Sequence, residues 1–200
     1  TRIGYLVTEL VEVDTYLKCQ ALTGVRAVCY LDPDRPPLET VQQIKALAAL
    51  KQLVGLDLRL CLPGADEWQD AGYAAEALIA SCTLENTRLF VEPLIDLDRT
   101  MDVGYGLVDT LCNPRLVFTV LRCLNTILSR YKDLGVLTLC QENKAGRLLS
   151  CCATKHEICL VLPNRSDEID IACLAWPLEQ TIQCYALASG MSTVITVGIL

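Results

Sequence analysis

Acidic side chains follow several strand-like runs of this sequence, and carboxylates that meet in pairs can do chemistry. Glu9 comes just after IGYLV, Asp32 follows VRAVCYL, and Glu92 follows RLFV, with Asp96 and Asp98 shortly beyond it. Two carboxylates that flank a glycosidic bond can cleave it, because one protonates the leaving oxygen while the other attacks the sugar or activates water. The same oxygens could bind a divalent cation, or they could simply be solvated loop ends.

The elements that carry these residues are predicted to alternate between strands and helices. Strand-like runs are IGYLVTEL, VRAVCYL (25–31), LDLRLCLPG (56–64) and RLFVEPLI (88–95). Helix-like runs are PPLETVQQIKALAALKQLVG, ADEWQDAGYAAEALIASC and NPRLVFTVLRCLNTILSRY (113–131), the last with Asn113 as N-cap and Pro114 at the first helical position. This alternation predicts parallel βα units, whose carboxyl ends share one edge of the sheet. We therefore expect the acidic residues to line one rim, with Arg99 neutralising one or two of the aspartates.

From about residue 133 the pattern changes to short β-type runs. They are LGVLTLCQE, GRLLSCCA, HEICLVLP, EIDIACLAW, IQCYALA and STVITVGIL, separated by turn sequences such as NKAG and NRSD. The sequence therefore predicts an α/β protein with a βα region at residues 1–132 and a small antiparallel β-sheet or sandwich domain at residues 133–200.

Charge and hydropathy argue against several classes of partner. Seventeen basic residues against 24 acidic ones give a net charge of −7, so we expect no binding to nucleic acid or to an anionic membrane. No apolar run reaches the ~18 residues of a membrane span, and no basic segment leads into an apolar one as in a signal peptide. Because the chain lacks an initiator Met and ends on an apolar run, we expect it to be part of a longer chain or to form a homo-oligomer.

The twelve cysteines are scattered, mostly within apolar runs, and no two form a C-x-x-C pair. His156 is the only histidine, and neither metal-ligand spacing nor a glycine-rich phosphate loop is present, so we expect no metal and no cofactor. We interpret the cysteines as free thiols that act as small core hydrophobes. That interpretation favours a reducing compartment such as the cytoplasm, and the location is otherwise open.

Two segments resemble the late strands of retaining glycoside hydrolases of the large (β/α)8-barrel clan. GYLVTELVEVDTYLKCQAL is similar to the strand that ends with the nucleophilic glutamate and precedes a helix containing Gln-Ala. YGLVDTLCNPRLVFTVLRCLNTIL is similar to the closing stretch of these barrels, after which many members continue into a small β-sandwich. The resemblance implies a partial TIM-barrel-like fold, a carbohydrate substrate or ligand, and Glu9 as the nucleophile. Glu92 is chosen by position as the partner carboxylate, and the candidate substrate-binding residues are Asp32, Asp96, Asp98 and Arg99.

The competing hypothesis is a non-catalytic α/β subunit whose apolar sheet packs on a partner chain. Members of the clan place the general acid/base in an Asn-Glu pair, and that dipeptide does not occur in this sequence. About four strands precede the β-rich region, whereas a closed barrel of this type needs eight. This hypothesis predicts that the chain forms oligomers.

Overall fold

The computed structural model describes residues 5–7, 26–46, 55–64, 66–99, 102–131, 134–144, 146–153, 156–163 and 181–196. The helices are α1 (Pro37–Ala46), α2 (Glu67–Ser81) and α3 (Leu116–Leu128). The strands are β1 (Tyr5–Val7), β2 (Arg26–Leu31), β3 (Gly55–Cys61), β4 (Thr87–Glu92), β5 (Leu97–Arg99), β6 (Asp102–Gly104), β7 (Leu134–Asn143), β8 (Gly146–Ala153), β9 (His156–Pro163), β10 (Thr181–Ala186) and β11 (Met191–Thr196).

The first four strands form a parallel sheet in the order β1-β2-β3-β4, with Leu31 opposite Leu60 and Leu60 opposite Val91. Alternate residues of β2 and β3 point to opposite faces, as strand geometry requires. On one face the side chains are buried: Ala27, Cys29, Leu31, Leu56, Leu58 and Leu60. Helices α1 and α2, which connect β2 to β3 and β3 to β4, cover this face, and their buried side chains form one cluster with it. Right-handed crossovers in this strand order place both helices on the same side.

Helix α2 lies at the centre of the packing. Its N-cap is Asp66, whose side chain accepts hydrogen bonds from the backbone N–H groups of Trp68 and Gln69, both at 2.8 Å. Buried residues are distributed around the whole of α2, and it packs against α1, α3, β3, β4 and β9. Small alanine side chains make this possible, because they let neighbouring elements approach from several sides.

The predicted partial TIM barrel is wrong. In the described residues the parallel sheet is open and has four strands, and the remaining strands form small, separate antiparallel sheets: β5-β6, β7-β8-β9 and β10-β11. The β5-β6 hairpin falls inside the region predicted to contain only parallel βα units. Four strands at the tilt of a barrel cannot close on themselves, so the sheet has edges instead. The run EIDIACLAW lies outside the described residues.

The predicted domain boundary between residues 132 and 133 stays a prediction, although contacts cross it. One cluster of buried apolar side chains contains Leu58 and Ile79 from before the boundary and Leu149 and Leu160 from after it.

A buried ion pair also crosses this boundary. The Glu76 side chain, on α2, is only 3% exposed; its Oε1 accepts a hydrogen bond from the Leu38 N–H at 3.1 Å and lies 3.2 Å from Arg147 Nη2 on β8. Arg147 is 15% exposed and also contacts Glu142 at 2.7 Å. Burial raises the pKa of Glu76, while the Leu38 N–H and Arg147 act in the opposite direction. The carboxylate thus joins the start of α1, the middle of α2 and the antiparallel sheet.

We predict that Arg147→Ala lowers the free energy of unfolding by about 3 kcal/mol, because it leaves a buried carboxylate without its cation. Urea unfolding followed by circular dichroism measures the change. The matched control is Arg35→Ala, which removes a pair to Asp32 whose side chains are 60% and 45% exposed, and we expect it to cost less than about 1 kcal/mol. Equal losses in the two variants would contradict a special role for the buried pair.

Candidate functional site

The second face of the parallel sheet has no helix over it among the described elements. Tyr30, Arg59 and Phe90 lie side by side in one row across β2, β3 and β4. The neighbouring rows contain Val28, Asp57 and Arg88 on one side and Cys61 and Glu92 on the other. We call these eight residues the open face. Phe90 is 41% exposed, which is unusual because parallel sheets are normally covered on both sides.

Ion pairs organise the charges around the open face. Arg59 Nη1 lies 2.5 Å from Glu92 Oε1, and Arg26 Nε donates to Asp57 Oδ1 at 2.9 Å. The Glu92 side chain is nevertheless 44% exposed. Each carboxylate of this face therefore has an arginine as its ion-pair partner.

The chain from residue 93 to 115, the carboxyl-edge loop, follows β4 and is built around one aspartate. Asp96 receives two hydrogen bonds from the Arg115 guanidinium, one of them from Nε at 3.1 Å, and a third from the Gly106 N–H at 2.7 Å. The side chains of Asp96 and Arg115 are 16% and 22% exposed. The hydrogen bonds from Arg115 lower the pKa of Asp96, so it is a carboxylate at neutral pH.

Close packing holds this loop against the end of β3. The Arg115 guanidinium lies 5.4 Å from the centre of the Tyr105 ring, and that ring lies over Gly64. A Cβ on Gly106 would come within 2.6 Å of the Ile95 carbonyl carbon, so only glycine fits where the two halves of the loop meet. The part of the loop around Asp96 and Arg115 is therefore closely packed, and both of these charged groups have partners within the protein.

The predicted helix cap at Asn113 is wrong. Helix α3 begins at Leu116, its N-cap is Arg115, and the Arg115 side chain makes no capping hydrogen bond. Asn113 instead pairs with Asp109, which accepts from the Asn113 backbone at 2.8 Å and from its side-chain amide at 2.9 Å. This local turn satisfies Asn113 before the helix starts.

The predicted site residues have different positions. Asp32 follows β2 and contacts Arg35 at 3.5 Å, Glu92 ends β4 on the open face, and Asp96 is locked to Arg115. Glu9 lies outside the described residues. Asp98 and Arg99 belong to β5, where only the backbone is described, so the pairing of Arg99 with an aspartate stays a prediction.

The structure shows two arginines that the sequence reasoning did not select. Arg59 and Arg115 hold Glu92 and Asp96, and both partners are distant in sequence. Arg115 lies in the NPR segment beside an acidic loop, and this position could have indicated an ion pair. Arg59 is a lone cation inside an apolar strand, which likewise indicates a carboxylate partner.

The distance between strands bears on the proposed carboxylate pair. β1 and β4 are separated by β2 and β3, so their backbones lie about 14 Å apart at a spacing of ~4.8 Å per strand. Carboxyl groups of glycosidases stand ~5–10 Å apart. One carboxylate after β1 and another after β4 could therefore come within this distance only if both side chains extended across β2 and β3.

The interpretation of the cysteines as core residues is wrong for many of them. Cys29 and Cys151 are buried, and burial raises the pKa of each thiol to about 11. Cys61, Cys82 and Cys152 are exposed. In the part of the chain that the structure describes, no group of three or more His, Cys, Asp or Glu side chains could hold a metal ion, and no helix is long and apolar enough to cross a membrane.

Comparison with known proteins found no matching family, no similar curated protein and no similar solved structure. A function for this protein is therefore inferred from its own residues alone.

We predict that Asp96→Asn lowers the free energy of unfolding by about 2 kcal/mol at pH 7, because the Arg115 hydrogen bonds lose their charged acceptor. Since the pKa of Asp96 is lowered, its stabilising effect is present above the ordinary value of 3.8 and is lost as the pH falls through the lowered pKa. Urea unfolding of the wild type and of Asp96→Asn, from neutral to acid pH, measures the effect. The difference between their free energies of unfolding should decrease below pH 3.8.

The control for Asp96→Asn is Glu67→Gln. Glu67 contacts the same Arg115 at 2.9 Å, but its side chain is 55% exposed, so we expect a loss below about 1 kcal/mol. A pH-independent loss in Asp96→Asn would contradict the role of the charge.

Proposed function

We propose that this protein is a non-catalytic α/β subunit that associates through the open face with a second copy of itself. The observation that carries the proposal is the half-exposed Phe90 in a row with Tyr30 and Arg59, on a sheet face that no described helix covers. Parallel sheets are stable when both faces are covered, so a partner chain would complete the arrangement.

Exposed apolar side chains extend this surface beyond the strands. Leu94 and Ile95, just after β4, are 61% and 42% exposed, and Trp68, just after the β3–α2 connection, is 66% exposed. Exposed apolar side chains near one edge of a sheet are typical of protein interaction sites, and aromatic residues are enriched at such sites.

The charges favour a second copy as the partner. The open face contains both signs, with Arg59 and Arg88 beside Asp57 and Glu92. A two-fold axis brings the same face of both copies together, so the arginines of one copy can meet the carboxylates of the other. A partner of one charge sign would be repelled by half of these groups.

The size of the face predicts weak association. Three strands of six residues cover about 20 Å by 14 Å, or about 300 Å² in projection. A standard interface buries about 800 Å² on each partner, so even with the apolar residues of the carboxyl-edge loop we expect a dissociation constant in the micromolar range.

Sedimentation velocity from about 1 µM to about 1 mM, a range that spans such a dissociation constant, tests this proposal. We expect a concentration-dependent dimer for the wild type and a monomer for Phe90→Asp, because a carboxylate would then be buried in the row. Val136→Asp is the control, since Val136 is 66% exposed on β7, outside the open face. A monomeric wild type, or equal dimerisation of wild type and Phe90→Asp, would exclude the open face as the interface.

The second candidate function is carbohydrate binding or hydrolysis with paired carboxylates, Glu9 and Glu92. The observation that favours it is the partly exposed Glu92 side chain at the carboxyl end of β4, the edge where α/β proteins bind ligands. Tyr30 and Phe90 would then offer ring faces to the sugar. The locked state of Asp96 speaks against a role for that residue in binding.

A thermal-shift screen with mono- and oligosaccharides tests the second candidate. If sugar binds, we expect the Tm to rise by about 3 °C, which corresponds to about 1 kcal/mol for a chain of this size. Glu92→Gln and Glu9→Gln should abolish the rise, and the exposed Glu67→Gln should retain it. The absence of a shift with every sugar would eliminate this candidate.

A further inference from the structure

A cavity of about 270 Å³ lies between helix α3 and the β10-β11 hairpin. Helix α3 and the turn after it contribute Arg122, Thr126, Ile127 and Arg130, and the hairpin contributes Tyr185 and the backbone at Gly190. The lining residues of the cavity belong neither to the open face nor to the carboxyl-edge loop, so the cavity stands apart from the function proposed above.

Helical spacing sets the polar lining of this cavity. Arg122, Thr126 and Arg130 are four residues apart, so they lie along one side of the helix over about 12 Å. Arg130 Nη1 is 3.5 Å from the Tyr185 hydroxyl, and the Arg122 guanidinium lies 6.0 Å from the centre of the Phe118 ring. The Thr126 hydroxyl donates to the Arg122 backbone carbonyl at 2.8 Å. Two guanidinium groups and the Tyr185 hydroxyl therefore remain beside the cavity as donors.

The hairpin turn is placed against α3 by Gly190. This residue has φ +71°, a conformation that L-residues with side chains rarely adopt, and its N–H donates to the Ala186 carbonyl at 2.8 Å. A Cβ at this position would lie 3.5 Å from Cys123 Sγ. The turn thus approaches the helix closely at one end of the cavity.

The charges of this cavity are not balanced by the described residues. Five arginines elsewhere have carboxylate partners: Arg26, Arg35, Arg59, Arg115 and Arg147. Across the described ranges, Arg122 and Arg130 have no carboxylate within ion-pair distance. Two uncompensated positive charges beside one small space attract an anion, and they do so in a chain whose net charge is −7.

We infer that this cavity binds the phosphate group of a small soluble molecule. A phosphate group has three terminal acceptor oxygens and a charge near −2, which matches two guanidiniums and the Tyr185 hydroxyl. A carboxylate offers only two oxygens and one charge. The volume is slightly below that of typical ligand pockets, so the molecule is small.

Isothermal titration of the full chain with inorganic phosphate and with glycerol phosphate tests the inference. We expect heat of binding for both, and at least about tenfold weaker binding in Arg122→Gln and in Arg130→Gln, because each variant loses a charge-assisted hydrogen bond. The control is Lys45→Gln, which removes an exposed cation at the end of α1, outside both the cavity and the open face. Equal weakening by Lys45→Gln would show attraction to net charge alone and would overturn the site.

Two further arms of the experiment identify the ligand. Succinate at the same ionic strength should bind at least about tenfold more weakly than phosphate, and equal binding would overturn the phosphate assignment. Vesicles that contain phosphatidic acid should not co-sediment with the protein. Co-sedimentation without binding of glycerol phosphate would show that the ligand is a lipid headgroup and would overturn the assignment to a small soluble molecule.

Thiol labelling gives an independent readout at the cavity. Cys123 lines it, so phosphate should slow the alkylation of Cys123 measured by mass spectrometry and should leave the exposed Cys152 on β8 unaffected. Unchanged labelling of Cys123 at a saturating phosphate concentration would place the phosphate elsewhere and would contradict the site.

Discussion

The burial of helix α2 is the constraint on which the described fold depends. The helix contacts the parallel sheet, both other helices and the strand β9, so its surface must be small and apolar on nearly every side. Alanines meet that requirement along most of its length. The buried polar residues of the helix are Asp70, Glu76 and Ser81. Among them, Glu76 is the one on which Arg147 of β8 and the first turn of α1 converge. One polar group in the interior thereby fixes how three elements meet.

Within the described residues, the same arrangement leaves the parallel sheet covered on one side only. Helices α1 and α2, which belong to the β2–β3 and β3–β4 connections, lie over one face, and the described helices do not reach the other face. The arginine–carboxylate pairs make the open face polar, and Phe90 is accessible between them. An interaction surface and a carbohydrate site are both compatible with this composition, and they differ in whether Glu92 acts as a charge complement or as a reacting group.

Sequence periodicity predicted the long elements because burial leaves a repeating signal. The alternation in RAVCYL marked β2, and the acids at Asp66 and Glu67 marked the start of α2. The β5-β6 hairpin has strands of three residues, too short for any period to appear. The pairing of Asp96 with Arg115 spans 19 residues and follows from the path of a folded loop, whereas Arg99 was simply nearer in sequence. The partial barrel was wrong because local resemblance does not determine how many strands a sheet contains or how they are arranged.

The β10-β11 hairpin differs from the rest in the range of its contacts. Its backbone pairs join residues no more than 15 positions apart, from Thr181 with Thr196 inward, whereas the central strand β3 is paired on both sides with distant strands. Two-stranded hairpins are marginal by themselves, and such units open locally at a lower free energy than a central sheet. The hairpin can therefore separate from α3 while the core stays intact, and its amide protons should exchange with solvent well before those of β3. Access to the space beneath it is then a matter of local opening and does not require global unfolding.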